Sequence, residues 1–341
     1  MKKYYPLICV NVFLHFITPL YAEPSKQCQS IPLFDKSFRP EIVKALENFD
    51  KILKDKKLDF AISMFHSAYV RKDDEKENVF RKLFQEIGSD SFQRNLAYYL
   101  PDTSEAKDIN CQDSLFHPVV GPTSQIFILY HINKTPIPWK VFVILGWDSK
   151  NQEYRIAALQ SQQWGLGKTP VGELHREALQ WNSQKHSLED TLYSWIQSEA
   201  VLTITQSNPY FIPKEVNLWK QEFEPLIKEY ELERTSWEKI FNSINPSLKW
   251  IENYPVFSQD HKTLGVKLRR IPKEQLQNIE YLELGVPEES IEWVLRACQN
   301  FVKSLEVQYK FQIFQKVQCS IYEPLEDIKA LPNKGSQTLN L

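Results

Sequence analysis

Glycine is scarce in this chain, nine residues in 341 against twenty prolines. Sites that hold phosphate by close backbone approach need several glycines in one loop. One segment comes near that pattern, Trp164-Gly-Leu-Gly-Lys-Thr-Pro170, because Gly-Lys-Thr is how a phosphate loop ends. Such a loop also wants glycine where Gln162 stands and a helix opening at the lysine, yet Pro170 follows almost at once. The segment reads as a linker, and no nucleotide is expected. The chain also lacks a Cys-x-x-Cys pair, a His-Glu-x-x-His helix, a Gly-x-Ser-x-Gly nucleophile elbow and a dinucleotide fingerprint. Those absences remove the common signatures of zinc sites, serine hydrolases and nicotinamide enzymes. Neither a metal nor a cofactor is expected.

Long runs of one charge are missing as well. The segment Arg71–Glu77, RKDDEKE, alternates in sign and reads as a solvated helix face. Lys267–Arg270, KLRR, is the only small basic cluster, and the overall balance is 41 basic against 43 acidic side chains. Nucleic acid is not an expected partner of such a chain.

One apolar run stands out. Lys2 and Lys3 precede PLICVNVFLHFITPLYA, Pro6 to Ala22, which reads as a signal peptide cut after Ala22. The run contains Asn11, His15 and two prolines and falls short of the ~20 apolar residues of a spanning helix. No stable membrane span is expected after cleavage. The mature chain is expected in the periplasm or outside the cell.

Cys9 lies in that run, leaving Cys28, Cys111, Cys298 and Cys319. An even count in an exported chain predicts two disulfides. Cys298 falls on the apolar face of a helix over PEESIEWVLRACQNFVKSL, and Cys319 on the apolar face of the strand that follows, KFQIFQKVQCSIYE. Those faces must pack together, so Cys298–Cys319 is the expected pair, with Cys28–Cys111 left by elimination.

After a leader over 23–34, apolar residues at helical spacing predict helices over Pro40–Asp55, Leu58–Val70 and Glu77–Gly88. β-Branched and aromatic runs then predict strands over Ser124–Ile132, Trp139–Trp147 and Glu153–Trp164, the last two joined by a turn at Asp148–Gln152. Helices followed by an antiparallel meander predict an α+β domain over 35–165. The segments VKALENFDKILKDKKLDFAISMFH and WKVFVILGWDSKNQEYRIAAL give this region a pattern that resembles the nuclear transport factor 2-like (cystatin-like cone) superfamily. The resemblance implies a curved sheet that wraps a helix and encloses a pocket. It makes His66 and His131 the candidates for an acid/base pair, with Tyr130 and Trp139 as lining. Members of that superfamily include enzymes, binders and interaction modules, so the fold does not select a function.

A linker is expected over 166–172, then a helical segment and a βαβ-like unit over 173–328, then a loose tail over 329–341. Ser187 and Asp190 stand at capping-box spacing. The strand TLGVKLRRI, the helix bearing Cys298 and the strand bearing Cys319 form the βαβ-like unit. The expected protein is thus α+β, exported, and a non-catalytic binding or scaffolding protein for a small molecule or another protein. The alternative is a secreted hydrolase or lyase using a pocket His/carboxylate pair.

Overall fold

The computed structural model describes residues 28–32, 38–69, 73–87, 92–105, 107–111, 114–132, 138–184, 187–245, 247–257, 260–271, 290–322 and 333–340. The expected signal peptide and much of the leader lie outside them. The first region runs β1 (Gln29–Ser30), α1 (Pro40–Asp55), α2 (Leu58–Ser63), α3 (Asp73–Ile87), β2 (Phe92–Leu100), β3 (Ile109–Asn110), β4 (Ser114–Phe116), β5 (Gln125–Ile132), β6 (Trp139–Asp148) and β7 (Glu153–Gln163). A five-stranded antiparallel sheet has the order β1-β2-β5-β6-β7. β2 carries no clean alternation and is an element the sequence pattern does not single out.

The apolar runs of β5 and β6 follow from burial on both faces. Ile126, Ile128, Tyr130 and Ile132 pack against Phe49, Ile52 and Phe80 of α1 and α3. Phe127, Leu129, Phe142 and Ile144 turn to the opposite side, into a second core. α1 starts at Pro40, where a missing N–H costs nothing, and ends at Lys56, whose left-handed backbone donates to the Ile52 carbonyl.

The middle region runs β8 (Gly165–Leu166), β9 (Thr169–Pro170), α4 (Val171–Gln184), α5 (Leu188–Gln206), β10 (Phe211–Pro213) and α6 (Glu215–Ile244). The segment expected as a linker is a tight hairpin followed directly by a helix. Gly167 adopts a positive φ of 56°, and a Cβ on Gly165 would lie 2.2 Å from the Thr169 carbonyl oxygen. Leu166 and Val171 are buried with Phe142, Val201 and Phe223. The second core therefore runs straight through the expected boundary. The glycines of WGLGKTP serve close backbone packing within the hairpin.

The last region runs β11 (Leu248–Pro255), β12 (Thr263–Arg270), α7 (Ile291–Gln308), β13 (Lys316–Tyr322) and β14 (Asn333–Asn340). β12 and β13 are parallel and joined through α7, the expected β-α-β unit, and β11 and β14 flank them antiparallel. Leu264, Val266, Leu268, Val317, Cys319 and Ile321 face a third core with Trp237, Phe241, Trp293 and Phe301 of α6 and α7. α5 and α6 contribute to both this core and the second one.

Three local expectations are corrected. The helix expected to reach Val70 ends at Ser63, because Met64 and His66 exchange backbone hydrogen bonds of 2.7 and 2.9 Å with Ile156 on the edge strand β7. The strand expected from Lys310 starts at Lys316. The N–H groups of Gln312, Ile313 and Phe314 instead donate to the buried Glu189 carboxylate. The tail expected to be loose contains β14, which pairs with β13 through the backbone.

Both disulfides form as expected, Cys28–Cys111 and Cys298–Cys319, each with a Cα–Cα distance of 5.7 Å. The capping box at Ser187 and Asp190 also forms.

Candidate functional site

The structure does not bring His66 and His131 together. His131 faces Lys140 across the β5–β6 ladder, while His66 Nε2 lies 3.1 Å from the Trp147 carbonyl near the far end of β6. From Lys140 to Trp147 the strand rises roughly 24 Å at about 3.4 Å per residue. His66 is satisfied on both ring nitrogens, Nε2 donating to Trp147 and Nδ1 accepting from the Ala68 N–H at 3.1 Å. His131 is held at a pKa of about 4 by burial and by the Lys140 ammonium. Lys140, whose Nζ lies 3.6 Å from the Trp164 ring centroid, is brought down to about 7 by burial, partly offset by Glu215.

Tyr130 is a core residue rather than lining. Its hydroxyl donates to Asp50 at 2.7 Å, and Asp50 also takes a hydrogen bond from Arg94. Phe49 and Phe92 pack on its ring. Trp139 is half-buried against the same core. These two residues belong to packing.

Another His/carboxylate arrangement exists elsewhere. His261 Nδ1 lies 2.8 Å from the Thr169 hydroxyl, its Nε2 lies 3.8 Å from Glu177, and Tyr193 donates to Glu177 at 3.0 Å. Thr169 is buried in the β8–β9 hairpin, so its hydroxyl offers no accessible nucleophile. The cluster fastens that hairpin to the turn before β12.

An open cleft of about 590 Å³ lies between α5 and the outer face of the C-terminal sheet. Its geometry begins with the strand pattern. Leu248 and Trp250 of β11 point into the third core, so strict alternation would send Glu252 inward too. A bulge between Trp250 and Glu252 inserts Ile251 and reverses the register. Asn253 now points inward, where it accepts from Trp250 Nε1 at 3.2 Å and donates to the Tyr230 hydroxyl at 3.4 Å. Glu252 and Tyr254 point outward, opposite Lys267 and Gly265. Gly265 is needed there: a Cβ would lie 2.4 Å from the Tyr254 carbonyl oxygen and 2.7 Å from its ring.

Lys267 donates to Glu252 and lies 5.1 Å from the Tyr254 ring centroid. The Tyr254 hydroxyl is fixed by Ser320 at 2.9 Å and Gln318 at 3.4 Å. The opposing wall comes from α5, where Trp195, Glu199 and Thr203 recur every fourth residue and so share one helix face. Trp195 stacks on Tyr230 with ring centroids 4.0 Å apart.

Glu199 is half-buried and makes no hydrogen bond or ion pair among the described residues. Burial, then the charges of Glu231 and Glu252, raise its pKa. Sequence reasoning passed over this site. Its only linear signal was the four-residue spacing of Trp195, Glu199 and Thr203 on a helix buried around much of its circumference.

No family model, no curated protein and no solved structure matches this chain. Among the described residues, no group of three or more His, Cys, Asp and Glu side chains could hold a metal ion.

Proposed function

We propose that this chain is an exported, non-catalytic binding protein and that the cleft between α5 and the C-terminal sheet receives a small ligand. The observation that carries the reading is the convergence of Trp195, Tyr254, Glu199 and Lys267 on one open cleft, backed by the buried Asn253 and Ser320. Ligand sites combine apolar walls with a few fixed polar groups in this way. Export is supported by the character of residues 1–22 and by two disulfides, which persist in oxidising compartments. No helix among the described residues is long and apolar enough to cross a membrane. In this reading the cone-like N-terminal unit is a scaffold.

Native mass spectrometry of the chain exported by its own host and purified without reductant tests this. The expected result is a protein four hydrogens below its reduced mass, matching the two disulfides, with added ligand mass that disappears in Trp195→Ala. Bare chain in both samples counts against a retained small ligand and turns the search to a protein partner. A fully reduced mass defeats the export reading.

A further inference from the structure

We infer that the ligand of the α5–sheet cleft carries an organic cation, an ammonium or guanidinium group, which pairs with Glu199 beside the Trp195 ring. The inference rests on the reading of the cleft as the ligand site.

Charge pairing around the cleft supports it. Three carboxylates interact there, Glu199, Glu231 and Glu252. Glu252 has Lys267 and Glu231 has Arg234 at 3.5 Å. Glu199 is the one left over, partly removed from water and facing two like charges. A desolvated carboxylate without a partner is unfavourable, and a cation bound beside it would relieve that cost. An anionic ligand would meet a carboxylate excess. A bare divalent metal would want several oxygen ligands, and the described residues offer no such group.

The cleft already contains an internal example of the proposed arrangement. Lys267 is an ammonium paired to the Glu252 carboxylate and placed over the Tyr254 ring, a combination of ion pair and cation–π contact. Glu199 and Trp195 repeat the same two ingredients on the opposing wall, one helical turn apart and so about 5–6 Å between Cβ atoms. There the cation is absent from the chain itself.

The test is calorimetric titration of the full, disulfide-intact chain with agmatine, choline and cadaverine, alongside maltotriose and citrate, at fixed ionic strength. At least one cation is expected to bind with a Kd below about 1 mM. Glu199→Gln should weaken it by about tenfold or more, and added salt should weaken it further. The wild-type pH profile supplies a readout that does not depend on the variant folding. The charges that act on Glu199 are Glu231 on α6 and Glu252 on β11; Tyr254 and Lys267 line the same cleft, and Arg234 pairs with Glu231. The pKa values of Tyr254 and Lys267 are both raised, so these two keep their protonation from acid to neutral pH. The pKa of Glu199 is raised as well. Its charge, and cation binding with it, should therefore fade on acidification at a higher pH than an ordinary glutamate would give.

Trp195-dependent binding of maltotriose or citrate, with no cation bound, overturns the ligand class and leaves the cleft standing. Cation binding unchanged in Glu199→Gln overturns the assignment to Glu199. If none of the five probes binds at about 10 mM, the cation inference is rejected and the cleft reading loses its support as well.

Discussion

The five-stranded sheet β1-β2-β5-β6-β7 is packed on both faces, whereas the four-stranded sheet β11-β12-β13-β14 packs one face on α6 and α7 and turns a polar face outward. In the first, successive residues of β5 and β6 enter two different cores, and the side chains there are spent on packing. In the second, alternation leaves Glu252, Tyr254, Lys267, Gln318 and Ser320 on the outward side. The difference bears on the resemblance in element order, which put its candidate pocket against the packed sheet. A curved sheet encloses a pocket only where its concave face is left unfilled. In the first sheet the face toward α1 and α3 holds Phe49, Tyr130 and Ile156, and among the described residues the cleft lies on the other sheet.

The sharpest way to break this comparison is Phe142→Ala. Phe142 is buried between the first sheet, Trp164 and Phe211. Its loss should cost about 3–5 kcal/mol in denaturant unfolding while leaving cleft binding unchanged below the melting temperature. A large loss of binding in the folded variant would mean that the two sheets are functionally coupled.

Gly265→Ala probes the open face. The added methyl group must separate Tyr254 from β12, so a smaller loss of about 1–3 kcal/mol is expected, together with weakened cation binding. An unfolding curve and a titration report the two effects separately.

Lys267→Met should have the smallest effect on stability, at most about 1 kcal/mol, because the Lys267–Glu252 pair is partly exposed. It frees a second carboxylate in the cleft and should tighten binding of choline or agmatine. Weaker cation binding would show that Lys267 itself holds the ligand.

The strands β5 and β6 could be read from the sequence because runs of β-branched and aromatic residues have few other fates, and β7 because the turn at Asp148–Gln152 joins it to β6. The Cys298–Cys319 bridge could be read because periodicity placed both sulfurs on apolar faces. The cleft could not be read in the same way. Ile251 looks like one more strand residue, and only its pairing with β12 makes it the bulge that turns Glu252 outward. β14 carries few apolar side chains and is held by backbone hydrogen bonds to the edge of β13, a partner that no local pattern names. Glu199 reads as an ordinary surface glutamate until Glu231 and Glu252 are brought up to it from other elements.

The sequence by itself determined the α+β class, the principal helices, most of the longer strands and the two disulfides. Each follows from local periodicity, or from a small choice among four cysteines. Only the tertiary structure decided which sheet carries the cleft, which of its carboxylates has no partner among the described residues, and that Leu166 and Val171 belong to a core. Those outcomes depend on contacts between residues far apart in the chain, where burial and charge are set by what packs alongside.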